Sequence, residues 1–366
     1  MKSILILANA VSGLFSFRKE VVKAIIDAGF SVVIAVPDEE KTNMVYFRSI
    51  GATIIVQQVD RRGTNPLKDF KLMLAYYRLM KQYAPVAVLT YTIKPNIFGG
   101  IAARIAGVPQ LANITGLGSA IQNPGLLQKF TLTLYKVGLA KANTVFYQNS
   151  SIKDFCMKHH IGGYGVLLPG SGVDLNWHPF QPYPECSSPL KFLFIGRVMK
   201  DKGIEEFLVM VNRIKSQYKE IEFHILGGCE EDYKSMLEEM QAEHKLIWHG
   251  SVPDIRPYLK EAHCTIHPSY HEGMANVLLE TCAAGRPVIT TNVNGCKEAV
   301  NDGINGFLCE VKSADSLTEQ VEHFIRLPYV EKIEMGVAAR KKMEQEFSRG
   351  IVVSAYLNEI SKVSRN

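Results

Sequence analysis

Short apolar runs separated by segments of helical period recur along almost the whole 366-residue chain, and that alternation restricts it to stacked βαβ units built on parallel sheets. In the first half the runs fall at 4–8, 31–36, 54–56, 86–90, 110–113 and 144–147, with helical stretches such as 17–28 between them. A stretch rich in Pro, Gly and Ser, 169–189, then breaks the period and reads as a linker. A second series follows, with runs at 190–195, 222–226, 245–248, 264–267 and 288–290 and helices such as 204–217. The expected architecture is therefore α/β, with two Rossmann-like, doubly wound domains at 1–168 and 190–366. A chain of this length also exceeds one ordinary core. Open α/β sheets bind ligands beyond the carboxyl ends of their strands, so the expected active site is a cleft between the domains. A last helical stretch, 329–362, is long enough to cover the second domain or to return to the first.

At 47% hydrophobic and 21% charged, the composition is that of a soluble globular protein. The apolar start, 4–8, is too short for a signal-peptide core, and Lys94 and Arg104 interrupt the apolar stretch 86–108, so no membrane span is expected. The seven cysteines are odd in number and form no CxxC pair, which argues against a disulfide framework or zinc site and for a reducing cytoplasm. The histidines also lack ligand spacing: His159 and His160 read as surface, and His267 and His271 merely flank a motif described below. Net charge is +5 but uneven. Residues 1–180 hold 19 lysines and arginines against 9 acids (+10), and residues 181–366 hold 22 against 27 (−5). A basic half implies either a solvated face or an anionic counterpart such as a membrane surface or a phosphorylated acceptor.

Two segments carry chemistry. In the first, Gly196-Arg197 through Lys202-Gly203 follows an apolar run and precedes a helix, placing two cations beside helix amides that already favour an anion such as a diphosphate. In the second, Glu272-Gly273-Met274-Ala275-Asn276 leads into a helix carrying Glu280. The first glutamate lies on the loop and the second a turn or two into the helix, where carboxylates can accept hydrogen bonds from sugar or ribose hydroxyls. Gly273 permits close backbone approach, and the amides of 273–276 could meet a phosphate.

Together these segments resemble the retaining GT-B glycosyltransferases of family 4. The glycine-arginine-to-lysine-glycine turn and the EX7E pattern from Glu272 to Glu280 stand in the family's order. Asn292 to Glu298 and Asn301 to Phe307 also look like its following segments. The resemblance implies that Arg197 and Lys202 bind the donor diphosphate and neutralise the leaving phosphate, that Glu272 contacts the donor sugar and Glu280 the ribose, and that Gly273, Met274, Ala275 and Asn276 line the donor site. It implies Glu272, Arg197 and Lys202 as the catalytic set. It further implies retention by front-face attack, with the leaving phosphate accepting the proton and neither general base, cofactor nor metal required. The donor would be a UDP-sugar carrying a hexose or N-acetylhexosamine.

In the first half, Asn9-Ala-Val-Ser12-Gly13-Leu14 looks like the family's loop after the first strand, with Gly13 near the phosphates and Arg18 in the following helix. The histidine that many members carry after the fourth strand is absent from Thr90-Tyr-Thr92-Ile-Lys94-Pro-Asn96, where Thr92 or Lys94 would replace it. Asn113, ahead of Thr115 to Gly118, is a further acceptor-side candidate beside Arg18, Thr92 and Lys94. This pattern resembles the subgroup that assembles bacterial surface polysaccharides, including capsule and lipopolysaccharide. That implies a saccharide acceptor on undecaprenyl diphosphate and a cytoplasmic enzyme in peripheral contact with the membrane. Residues 67–83 and 126–141 mix Lys or Arg with Leu, Phe and Tyr at helical spacing, as membrane-surface helices or packed helices do. The competing functions are a non-catalytic nucleotide-sugar-binding subunit and a nucleotide-sugar 2-epimerase. The first gives no reason for Arg197, Lys202, Glu272 and Glu280 to occur together. Nucleic-acid binding lacks a reader motif.

Overall fold

The computed structural model describes residues 1–37, 41–60, 63, 65–116, 125–186 and 189–365, in two compact units: Met1–Ser171 with Arg349–Asn366, and Gly172–Ser348.

The first unit alternates β1 (Ser3–Leu7), α1 (Val11–Asp27), β2 (Ser31–Val36), α2 (Lys41–Ser49), β3 (Thr53–Val56), α3 (Pro66–Tyr83), β4 (Ala87–Tyr91), a π turn (Pro95–Gly99) running into α4 (Gly100–Ala106), β5 (Gln110–Ile114), α5 (Leu126–Leu139), β6 (Thr144–Tyr147), α6 (Ser150–Lys158) and β7 (Gly165–Leu167). All seven strands are parallel, in the order β3-β2-β1-β4-β5-β6-β7. Strand side chains alternate between faces, and the two cores record it. Ile4 and Ile6 pack with α1, whereas Leu5 and Leu7 pack with α3 and α4. Phe98 joins that second layer to the cluster under α5 and α6. Local chemistry sets the helix ends. At α3, Asn65 caps the amides of Leu67 and Lys68 and Pro66 occupies a position where no amide is needed.

The second unit runs β8 (Lys191–Ile195), a 3₁₀ turn (Lys200–Lys202), α7 (Ile204–Gln217), β9 (Glu222–Leu226), α8 (Lys234–Ala242), β10 (Ile247–Trp248), α9 (Arg256–Glu261), β11 (Cys264–His267), α10 (Asn276–Ala283), β12 (Val288–Thr291), β13 (Gly306–Cys309), α11 (Ala314–Arg326) and α12 (Tyr329–Glu346). Its six parallel strands are ordered β10-β9-β8-β11-β12-β13. Strands β7 and β13 were not expected as strands. Both are edge strands that begin on a glycine, and their apolar runs of three residues (166–168 and 307–309) stand between turn-rich segments without a clear helical partner to mark them.

The segment expected as a linker has structural partners of its own. Val173 donates to the Phe347 carbonyl at 2.8 Å, Tyr329 Oη donates to the Pro184 carbonyl at 2.7 Å, and the fully buried Arg286 guanidinium donates to the carbonyls of Gln181 (3.0 Å) and Pro182 (2.8 Å). From Gly172 onward this chain belongs with the second unit.

The final helical stretch divides at Phe347 and Ser348, and its second part, α13 (Arg349–Ser364), belongs with the first unit. There Tyr356 is fully buried, stacked 4.4 Å from Phe146, and its hydroxyl takes a hydrogen bond from Arg18 Nε (3.1 Å) while donating to Asn113 Oδ1. Removing that hydroxyl leaves a buried cation and an amide oxygen short of a partner. Tyr356→Phe should therefore destabilise by about 1–3 kcal/mol, read as a lower urea midpoint with an unchanged slope; an unmoved midpoint would mean that the network carries no net stability.

Candidate active site

The order of the second sheet reverses between β8 and β11, and the two chemically marked segments leave those two neighbouring strands. That reversal point is where doubly wound sheets open a crevice.

Glycine backbones bring the segments together. Gly203 has φ +73°, and a Cβ there would stand 2.1 Å from the Pro268 carbonyl oxygen. Its absence lets the Lys200–Lys202 turn lie against the chain after β11, where Tyr270 N–H donates to the Asp201 carbonyl at 2.9 Å. A Cβ on Gly227 would meet the Gly196 carbonyl oxygen at 1.7 Å, and one on Gly295 the Glu272 carbonyl oxygen at 2.4 Å. All three contacts are backbone against backbone, so no side-chain rotation could relieve them.

The result is an ion pair between Lys202 Nζ and Glu272 Oε1, with side-chain exposures of 18% and 16%. The same oxygen lies 3.1 Å from His267 Nε2 and 3.2 Å from Ser269 Oγ. The Ser269 hydroxyl is also 3.2 Å from the Asp201 carbonyl and can serve only one acceptor at a time. Burial on its own would raise the Glu272 carboxyl; the hydrogen bond and charge of His267, followed by those of Lys202, outweigh it and hold the group at about 2. Glu272 is thus a fixed carboxylate. Its Oε2 has no hydrogen bond among the described residues, the recorded contacts all falling on Oε1. Sequence reasoning gave His267 no role. Its signal is positional: it is the last residue of β11, 3% exposed, one loop away from the glutamate it touches.

Arg197 does not join this cluster. It is exposed and paired with Glu230 at 2.7 Å on the loop after β9. Gly273 lies on the loop before α10, and Met274 and Ala275 are buried in the core beneath that helix. The Ala275 amide already donates to the Gly295 carbonyl at 2.7 Å. Asn276 opens α10, its Oδ1 buried without a partner among the described residues, and Glu280 lies half-buried further along the helix. No group of three or more His, Cys, Asp or Glu among the described residues is disposed to hold a metal ion.

The first-unit candidates have different surroundings. Gly13 sits in the first turn of α1 rather than on a loop, with open space where a Cβ would point. Arg18 and Asn113 are 2% and 1% exposed and joined through Tyr356. Lys94 is buried against Asp69 at 2.5 Å, and Thr92 adopts φ +72° with its hydroxyl buried and unpartnered among the described residues. The run from Thr90 to Asn96 and the strand bearing Asn113 form one polar network. Thr90 Oγ1 donates to Asn96 Oδ1 (2.7 Å), Asn96 Nδ2 to the Asn113 carbonyl (2.8 Å) and Asn113 Nδ2 to the Thr90 carbonyl (3.1 Å). This network positions the ends of β4 and β5. Gly118 lies outside the described residues. A cavity of about 420 Å³ at the end of β3 is lined by Gln57, Gln58, Asp60, Lys68, Asp69 and Lys71 among others.

Two outcomes follow from this geometry. Gly203→Ala adds both a left-handed backbone cost and a clash, so it should lower stability by more than about 1 kcal/mol and separate Lys202 from Glu272; wild-type stability would refute the close approach. Because the folded Glu272 value (about 2) lies below the ordinary 4.5, its contribution is complete above pH 4.5 and disappears as pH falls toward 2. The difference in urea midpoint between wild type and Glu272→Gln should shrink over that window, and a difference independent of pH would contradict the assignment.

Residues 3–149 match the family model described as glycosyl transferase 4-like, and residues 180–343 match glycosyl transferases group 1. The chain is 25% identical, over 98% of both chains, to the N,N'-diacetylbacillosaminyl-diphospho-undecaprenol alpha-1,3-N-acetylgalactosaminyltransferase of Campylobacter jejuni. It is 29% identical, over 70% of each, to an Escherichia coli UDP-Gal:alpha-D-GlcNAc-diphosphoundecaprenol alpha-1,3-galactosyltransferase. Among solved structures, a glycosyltransferase from Rickettsia africae superposes with a TM-score of 0.83 at 19% identity, covering 100% of this chain and 99% of that one. Anabaena HepE, in complex with UDP and glucose, does so at 0.78 and 14%, covering 99% and 100%. The two matched regions, in this order on two parallel-sheet units, show that the chain belongs to the GT-B glycosyltransferases of the group 1, family 4 kind.

Proposed function

We propose that this glycosyltransferase moves a hexose or N-acetylhexosamine from a UDP-sugar to a saccharide carried on undecaprenyl diphosphate, with retention of configuration, in the assembly of a bacterial surface glycan. The observation that carries the reading is the Lys202–Glu272 pair at the reversal point of the second sheet, with His267 and Ser269 on the same carboxylate oxygen. In the free protein the carboxylate holds Lys202 in place. When the donor binds, the ammonium turns to the diphosphate and the glutamate accepts hydrogen bonds from the sugar hydroxyls. Arg197 then leaves Glu230 for the same phosphates. Cations aimed at the oxygen that gains charge stabilise the transition state more than the ground state. Gly273 to Asn276 would line the phosphates and Glu280 the ribose.

A carboxyl held at about 2 is a poor proton shuttle at neutral pH, since a general acid or base works best near the operating pH. This favours transfer in which the leaving phosphate takes the acceptor's proton, and it disfavours the acid-base elimination of an epimerase. The lipid-linked acceptor is suggested by what the Campylobacter and Escherichia coli relatives are named for. It would place the protein at the inner face of the cytoplasmic membrane, with the first unit meeting the acceptor through the region of Gly13, Thr92 and Lys94.

Calorimetric titration with UDP, GDP, ADP and their sugars tests the reading. One nucleotide, expected to be UDP, should bind; Lys202→Ala and Arg197→Ala should each weaken it by roughly 10- to 100-fold, the scale of a charged hydrogen bond. Glu272→Ala should abolish transfer while keeping nucleotide affinity within a few fold. If no nucleotide binds the wild type, the donor site has been misassigned.

A further inference from the structure

Strand β11 ends on a side chain whose one hydrogen bond among the described residues is to the Glu272 carboxylate. Along the strand, Cys264 and Ile266 face the core under α7, so Thr265 and His267 face the opposite way, and Thr265 Oγ1 accepts a hydrogen bond from Thr281 of α10 at 3.3 Å. The backbone around His267 is pinned from β12: Thr290 Oγ1 donates to the His267 carbonyl at 2.7 Å and Thr291 Oγ1 to the Ser269 carbonyl at 2.5 Å. The imidazole is buried, with Nε2 3.1 Å from Glu272 Oε1 and Nδ1 without a partner among the described residues. Leaving a ring nitrogen buried and unpaired costs free energy that a leucine at the same place would avoid, and a histidine kept for the core would have both nitrogens satisfied. What this ring gains is its bond to the glutamate.

That bond matters most once Lys202 has moved. On the donor-site reading above, the ammonium leaves Glu272 for the diphosphate, and Oε1 keeps Ser269 and His267 as neighbours. Ser269 Oγ has the Asp201 carbonyl at 3.2 Å and the His271 carbonyl at 3.3 Å within reach as well, and its one proton serves a single acceptor. His267 Nε2 has no competing acceptor among the described residues, and because a carboxylate only accepts, the ring carries a proton on that nitrogen. The two side chains also differ in freedom. Lys202 reaches through a flexible four-carbon stem, whereas the short, planar imidazole grows from a strand end held by β12. Burial pushes the Glu272 carboxyl up, and the His267 hydrogen bond is the first influence that opposes it, ahead of Lys202.

We propose that His267 is a positioning residue for sugar transfer: its Nε2–H holds Glu272 Oε1 after Lys202 has turned to the diphosphate, and so keeps Oε2 directed at a hydroxyl of the donor sugar. The proposal rests on the donor-site reading for the movement of Lys202 and adds what holds the glutamate afterwards. Lys202 can then be released without releasing Glu272.

The test sets two amides against each other. Glutamine places its Nε2 near the position of the histidine Nε2, and asparagine carries its amide nitrogen at the level of Nδ1, short of the carboxylate. Both are neutral donors. Calorimetry with UDP, UDP-galactose and UDP-N-acetylgalactosamine first identifies what the wild type binds, and UDP release from the bound sugar, with water as acceptor, gives kcat and KM. His267→Asn should lower kcat by roughly 10- to 100-fold, the scale of a hydrogen bond to a charged group, while KM and UDP affinity stay within about threefold. His267→Gln should restore kcat to within about fivefold of the wild type. Unchanged UDP affinity also reports that both variants are folded. A second readout needs no turnover and decides where release to water is too slow to measure. In protein carrying isotope-labelled histidine, the Nε2 proton resonance missing from both variants should persist, protected from exchange, in the wild type saturated with UDP and in Lys202→Ala.

The proposal is wrong if His267→Asn keeps the wild-type kcat, if glutamine is as damaging as asparagine, or if UDP abolishes the Nε2 resonance. Failure of the wild type to bind any of the three nucleotides would overturn the donor-site reading, and this proposal with it, before any His267 variant is compared, so the two failures are separable.

Discussion

The site depends on how closely three stretches of backbone can approach. Gly203 against Pro268, Gly227 against Gly196 and Gly295 against Glu272 are contacts in which even one methyl group would overlap a carbonyl oxygen. Each glycine lies after a different strand of the second unit, and together they draw the loops after β8, β9, β11 and β12 together. Long charged side chains such as Lys202 could reach a phosphate from many backbones. Here Lys202 is held on a short turn with little freedom, and on the reading proposed above that is the preorganisation through which an electrostatic catalyst gains over solvent.

That arrangement explains why the ligand-free pairing is informative. A lysine and a glutamate less than one-fifth exposed, with a histidine on the same oxygen, would be a costly cluster if nothing used it. Removing water from both charges is compensated only by their geometry, and that geometry leaves Glu272 Oε2 available to an incoming hydroxyl. The more exposed Arg197–Glu230 pair is of another kind, cheap to open because both groups remain in water.

Most strands of both sheets were legible as apolar runs, because a strand buried on both faces must be apolar throughout. The failures were short or polar elements: β7, β13, and Lys245 and Leu246, which lie outside β10. The chain after residue 168 looked like a linker because Pro, Gly and Ser do mark irregular backbone. Composition does not say whether irregular backbone is anchored, and Arg286 anchors it from more than a hundred residues away. In the site, Lys202 and Glu272 were legible as motif residues. His267 was not, because its relation to Glu272 comes from β11 ending beside the loop. Two of the acceptor-side candidates show the reverse difficulty: Arg18 and Asn113 are polar residues that look exposed in a sequence and are committed to a buried network through Tyr356, a residue near the far end of the chain.

The return of α13 to the first unit has a consequence for how such enzymes can be recombined. The second unit is one uninterrupted stretch, Gly172–Ser348, and its first and last residues run beside each other, Val173 bridging to Ser348. In effect it is a cassette inserted into the first unit. A different second unit could be exchanged by two cuts at adjacent points, leaving the host core whole. The first unit has no such autonomy when cut after Ser171, because the aromatic and arginine pocket that receives Tyr356 would stand empty. Exchange of second units between enzymes of this architecture should therefore respect both junctions, whereas exchanging simple amino-terminal and carboxy-terminal halves would divide a core.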